Sequence, residues 1–140
     1  MGYNRQKNEM KKFLVMLCVA WMSVALFAED GYGTCRVPGS SDYIEVSVNI
    51  SDGTMTISNS SSRPVVSVFV SVKATEYCSK DKNGDQWTSP VKYPATLFND
   101  RVWSLDPYGS KTVSINVPST HPYHMGWKDV NVSVNNPNCQ

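Results

Sequence analysis

Both histidines of the 140-residue chain fall in one tetrapeptide, His121-Pro122-Tyr123-His124, with Met125 next. Imidazole is the commonest side-chain ligand for zinc and copper, and a thioether adds a soft donor for cuprous ion. In an extended segment, residues i and i+3 point in opposite directions, so the two rings meet only if the chain turns at Pro122. Two histidines by themselves leave a metal site short of ligands. As a general base, either ring would need a nucleophile and an orienting acid from elsewhere in the fold. No G-x-S-x-G elbow is present.

Asp81-Lys82-Asn83-Gly84-Asp85 places oxygen ligands at alternating positions, as a calcium loop does. It lacks the glycine and the closing glutamate of an EF-hand, where Gln86 and Lys92 stand instead. Asn83-Gly84 reads as a hairpin turn. Trp87, Tyr108, Tyr123 and Trp127 fall in or beside loops and offer flat contact surface to a protein or a glycan. Trp103 lies within a strand-like run and is assigned to the core. Asn49, Asn59 and Asn131 begin glycosylation sequons, which arise readily in a chain rich in Ser and Asn.

The first 28 residues differ from the rest. Lys7, Lys11 and Lys12 precede the apolar run Phe13–Ala28, and Glu29-Asp30 follows. Basic flank, short apolar core and small residue at Ala28 are the anatomy of an export signal, too short for a membrane span. The expectation is a signal peptide over 1–28, cleaved after Ala28, and one domain over 29–140. That implies a secreted, periplasmic or cell-surface protein with no membrane span after cleavage. An uncleaved anchor is the alternative. Residues 29–140 carry 9 Lys+Arg against 11 Asp+Glu, a net charge of −2, so no basic footprint for nucleic acid exists.

Cleavage removes Cys18 and leaves Cys35, Cys78 and Cys139. An oxidising compartment favours a disulfide. Three cysteines allow three single pairings and leave one thiol over. Strand parity alone favours Cys78–Cys139. A leftover Cys35 would permit a disulfide-linked homodimer. No C-x-x-C spacing points to redox or zinc-knuckle chemistry, and no cofactor is implied.

These residues must be positioned by strands. Tyr43–Ile50 alternates with Ile44, Val46, Val48 and Ile50 on one face, and Asp52-Gly53 turns it into Thr54–Asn59. Val65–Tyr77 is the longest strand, with Val66, Val68, Val70, Val72 and Ala74 on one face. A long loop is expected over Cys78–Pro90, then two short strands within Val91–Leu105 on either side of Asn99-Asp100. Asp106-Pro107-Tyr108-Gly109 is a turn. Lys111–Val117 and Trp127–Val134 complete the set, with a loop over Pro118–Gly126 between them. No segment carries apolar residues at helical spacing. About seven short strands with regular turns predict an all-β, single antiparallel sandwich.

Within that pattern, Ile57, Asn59, Pro64, Val65, Val68, Val70 and Val72 form one block. Leu105, Pro107, Gly109, Ser110, Thr112, Val113, Ile115 and Val117 form a second. The two blocks together resemble the broad class of bacterial extracellular immunoglobulin-like modules, cell-adhesion modules among them. The resemblance covers about half of residues 29–140 and implies an immunoglobulin-like sandwich without shared catalytic residues. The functional expectation is a non-enzymatic exported module that recognises a protein or glycan through Trp87, Tyr108, Tyr123 and Trp127. A small periplasmic metal-binding protein using His121 and His124, or an inhibitor of a secreted hydrolase, are the alternatives.

Overall fold

The computed structural model describes residues 27–28 and 30–139, and for 27–28 and 86–89 the backbone only. The expected signal segment lies outside the described residues, apart from Phe27 and Ala28. Eight strands occur in chain order: β1 Phe27–Ala28, β2 Gly31–Arg36, β3 Tyr43–Asn49, β4 Thr54–Asn59, β5 Val65–Lys80, β6 Gln86–Leu105, β7 Ser110–Ser114 and β8 His124–Cys139. They form two sheets, β2-β3-β4-β7 and β1-β8-β5-β6. Every pairing is antiparallel except the short parallel contact of β1 with β8. No helix of the described residues is long and apolar enough to cross a membrane.

Period-two alternation builds the core. Val46 and Val48 of β3 lie opposite Ile57 and Met55 of β4, and all four are buried. They share one apolar cluster with Val68, Val70, Val72 and Leu97 of the second sheet. Each such side chain contributes about 1.5–3 kcal/mol when fully buried. The β3–β4 turn needs left-handed backbone, which Gly53 supplies at φ +70°, and its amide donates to the Ile50 carbonyl.

Asn59 stitches the sheets together. It is 1% exposed. Its amide group donates to the carbonyls of Arg63 and Asp106, and its oxygen accepts from the Ser61 amide and hydroxyl. Burial takes its sequon out of reach of any glycan. Asn131 is exposed and Asn49 half-buried.

Several expectations change. Val91–Leu105 is not two strands but part of the single strand β6, in which Asn99 and Asp100 pair with Ser71 and Val70. β6 is an edge strand, and both polar side chains are exposed. The expected long loop shrinks to the turn between Lys80 and Gln86, capped by the Asp81 carboxylate, which accepts from the Asn83 and Asp85 amides. Irregular register at the start of β5 buries Val65 and Ser67 and leaves Val66 half-buried. Trp103 is 56% exposed rather than core. Ser104, at φ 62°, interrupts the alternation, so Val102 and Leu105 point inward and Trp103 does not. β2 is an additional strand whose pattern, with two glycines, carries little apolar signal.

The two sheets differ in length. β5 and β6 have 16 and 20 residues, whereas β3 and β4 have 7 and 6. The far end of the shorter sheet is marked by Ile115, bonded to Gly53, and by Asn116, bonded to Leu97. The stretch of β5 from Ala74 to Lys80 therefore runs on past it, and the segment 121–124 lies over it, with the Ser79 amide donating to the Tyr123 carbonyl and the His121 amide to Glu76.

Candidate metal centre

That overhang is where the chemistry collects. Strand periodicity puts Glu76 and Cys78 on the same face as Val70, Val72 and Ala74, so a carboxyl and a thiol continue an otherwise apolar row. Glu76 is 1% exposed and Cys78 0%. Opposite Glu76 in β6 is Tyr93. Opposite Cys78 in β8 is His124.

The histidine segment turns, as a meeting of the two rings requires. The His124 amide donates to the His121 carbonyl across Pro122-Tyr123, and both imidazoles reach one carboxylate. His121 Nδ1 lies 2.6 Å from Glu76 Oε1, and His124 Nδ1 lies 2.7 Å from Oε2. The His121 amide also donates to Oε2 at 2.8 Å. The Tyr93 ring stacks on His121 at 4.0 Å and 12°, fixing the plane of the imidazole.

Burial by itself would raise the pKa of Glu76. Hydrogen bonds from the His121 amide and from the two rings outweigh it, and the carboxyl is held below its ordinary value. Cys78 goes the other way. Burial, reinforced by the adjacent Glu76 charge and a hydrogen bond to it, pushes the thiol up to about 11. One ligand atom each from Glu76, Cys78 and His121 lies within 4.8 Å of the others. Carboxylate oxygen, thiol sulfur and imidazole nitrogen are the donor types that zinc accepts together.

Of the residues singled out in the sequence, the structure brings together His121, His124 and Cys78. Met125 is half-buried at the next position of β8. The aromatics do not share a surface. Tyr108 is 73% exposed in the β6–β7 turn, beside Ser61, whereas Tyr123 lies at the opposite end, beside Ser79. Trp127 is not a loop residue: it sits inside β8, 3% exposed, opposite Glu76. The side chain of Trp87 lies outside the described residues.

The expected Cys78–Cys139 pairing is excluded by position. Cys78 pairs with His124 at one end of β8, and Cys139 pairs with Val65 at the other. Thirteen residues of β5 separate the two levels, roughly 40 Å of strand. Shared parity does not bring residues to the same end. Glu76 was not anticipated, although its place on the Val-rich face of Val65–Tyr77 was readable from period two. Comparison with protein-family models, with characterised proteins and with solved structures found no match to this chain.

Proposed function

We propose that this protein is an exported, non-enzymatic β-sandwich of immunoglobulin-like kind that binds a divalent transition metal, zinc foremost, through Glu76, Cys78 and His121. The observation that carries the reading is the convergence of three different donor types in one buried place at the end of the long sheet. Glu76 Oε1, Cys78 Sγ and His121 Nδ1 are the ligands. His124 and the His121 amide hold the other carboxylate oxygen, Oε2, which is the outer-shell support that metal ligands use for orientation. A cation there offsets the charges of Glu76 and of a Cys78 thiolate, so binding releases the Cys78 proton. Three protein ligands leave one position of a tetrahedral zinc open for a further donor. The basic and apolar N-terminal sequence and the paired strand blocks are what support the exported, immunoglobulin-like part of the reading.

The test is titration of the purified, reduced protein with zinc, and with cobalt as a coloured probe. Expected are one metal per chain, a thiolate-to-cobalt absorption band, loss of binding in Cys78→Ala and in His121→Ala, and a roughly 10–100-fold weakening in His124→Ala. No metal at micromolar concentration, or unchanged binding in Cys78→Ala, removes the proposal and leaves Glu76 as a hydrogen-bonded latch for residues 121–124.

A second reading, recognition of a protein or glycan, is favoured by the exposure of Tyr108 and, at the other end, of Tyr123. A partner that binds the protein but not Tyr108→Ala would support it.

A further inference from the structure

The other two described cysteines lie at the opposite end of the sandwich, in different sheets. Cys35 of β2 stands opposite Ile44, which is opposite Asn59. Cys139 of β8 stands opposite Val65, which is opposite Leu105. Asn59 is hydrogen-bonded to the carbonyls of Arg63 and Asp106, the residues bracketing those two levels. Both thiols are partly buried and packed against the core cluster.

β2 and β8 also face one another unusually closely. Gly31, Gly33 and Cys35 share one face of β2, the half-buried one. A Cβ on Gly31 would lie 2.4 Å from a methyl carbon of Val130, and one on Gly33 would lie 2.6 Å from the Val132 carbonyl oxygen. Only residues without a side chain fit there, so the two glycines set the spacing at which β2 meets β8. Cys35 is the next residue in that row. The Cys139 thiol is close enough that its charge, added to burial, raises the pKa of Cys35.

We infer that Cys35 and Cys139 form a disulfide that staples the N-terminal strand of the sandwich to its C-terminal one, leaving Cys78 as the thiol. Thiol–disulfide exchange makes the bond. The Cys139 thiolate attacks a disulfide oxidant, such as oxidised glutathione or an exported thiol oxidase, and releases one reduced thiol. The Cys35 thiolate then displaces the second. One S–S bond forms and one is consumed, two cysteines are oxidised, and the oxidant's disulfide leaves as two thiols. Cys78, at 0% exposure and at the other end of β5, is outside this exchange. Its availability as a metal ligand is the only link to the proposed function.

The test uses the purified full chain equilibrated with oxidised glutathione, so it does not depend on export. Residues 29–140 are mapped by peptide mass spectrometry after alkylation without reductant. Expected is a single cross-linked peptide pair containing Cys35 and Cys139, lighter by two hydrogens than the reduced pair, with Cys78 recovered as an alkylated thiol once the chain is unfolded. Reduction should lower Tm by roughly 10 °C or more, because the bond closes a loop of about a hundred residues. That drop should vanish in Cys35→Ser and in Cys139→Ser, both of which keep the zinc site. Free thiols at Cys35, Cys78 and Cys139 alike, any bond to Cys78 or Cys18, or a covalent dimer through Cys35 would overturn the inference. Should Cys35→Ser fail to fold, the mapping of the unmodified chain decides alone. A staple that forms in the tube while the protein recovered from cells is fully reduced would count against export and not against the staple.

Discussion

Replacing Glu76 by Gln tests the centre without a metal present. The carboxylate accepts three hydrogen bonds at 2.6–2.8 Å while almost wholly buried. Gln keeps the shape but has one acceptor oxygen and no charge. Burial opposes ionisation, but the hydrogen bonds hold the Glu76 pKa below its ordinary value, so the fold favours the carboxylate over the protonated acid, and the uncharged amide is expected to destabilise. Hydrogen bonds to a charged group contribute about 1.5–3 kcal/mol and neutral ones about 1. Weakening three of them, partly offset by no longer burying a charge, gives about 1–3 kcal/mol. That is a sizeable part of the 5–15 kcal/mol typical of a domain and about 10 °C in Tm. The assay is urea unfolding in the presence of a chelator, with amide exchange at His121 as the local readout. The sign with pH is fixed as well. A depressed carboxyl contributes its stability above the ordinary value of 4.5 and loses it as pH falls through the lower folded value. The gap between wild type and Glu76→Gln should therefore be full at pH 6–7 and close on acidification. A gap under about 0.5 kcal/mol, or one that does not change with pH, would refute the assignment of Glu76 as the anchor of residues 121–124.

The remaining predictions concern the thiol and the core. The Cys78 pKa is raised from 9.0 to about 11, so its contribution is complete below pH 9 and is lost as pH rises through the folded value. The metal-free protein should weaken by about 3 kcal/mol over that window, and Cys78→Ala should flatten the alkaline limb of its urea-midpoint profile. Asn59→Ala should cost about 1–3 kcal/mol in urea unfolding, since it leaves the buried Ser61 amide without its acceptor, while the Arg63 and Asp106 carbonyls keep the Ser61 hydroxyl and the Gly109 amide as donors. Trp127→Ala should cost about 3–5 kcal/mol and Trp103→Ser less than about 0.5, an order opposite to the one their sequence surroundings suggest.

Strands built on strict alternation could be read from the chain before the fold was known. Ile44, Val46 and Val48 announce β3, and Asp52-Gly53 announces its turn, because the signal is local and the period is two. Trp103 and Trp127 could not be placed in the same way. Ser104 adopts left-handed backbone and β8 pairs irregularly with β5, and such irregularities depend on contacts made across the sheet. The histidine pair was legible as candidate ligands because both rings lie in four consecutive residues. Its partners were not, since Glu76 and Cys78 precede it by more than forty positions and meet it only through the β5–β8 register. The cysteine pairing failed for a related reason. Parity tells which face a side chain takes, but the level along a strand comes from register, which no short stretch of sequence contains.

The unequal length of the two sheets has a consequence for how the protein opens. Val117 packs on the core between the sheets, whereas segment 121–124 after it is held over β5 by Glu76, by the Ser79 amide and by the Tyr93 ring. Contacts of that kind break in small cooperative units at a fraction of the global unfolding free energy. The end carrying the thiol and imidazoles can therefore breathe while the sandwich stays shut. Exchange of the proposed metal would then be governed by a local opening of a few residues, and its rate could change by mutation without any change in the lifetime of the fold.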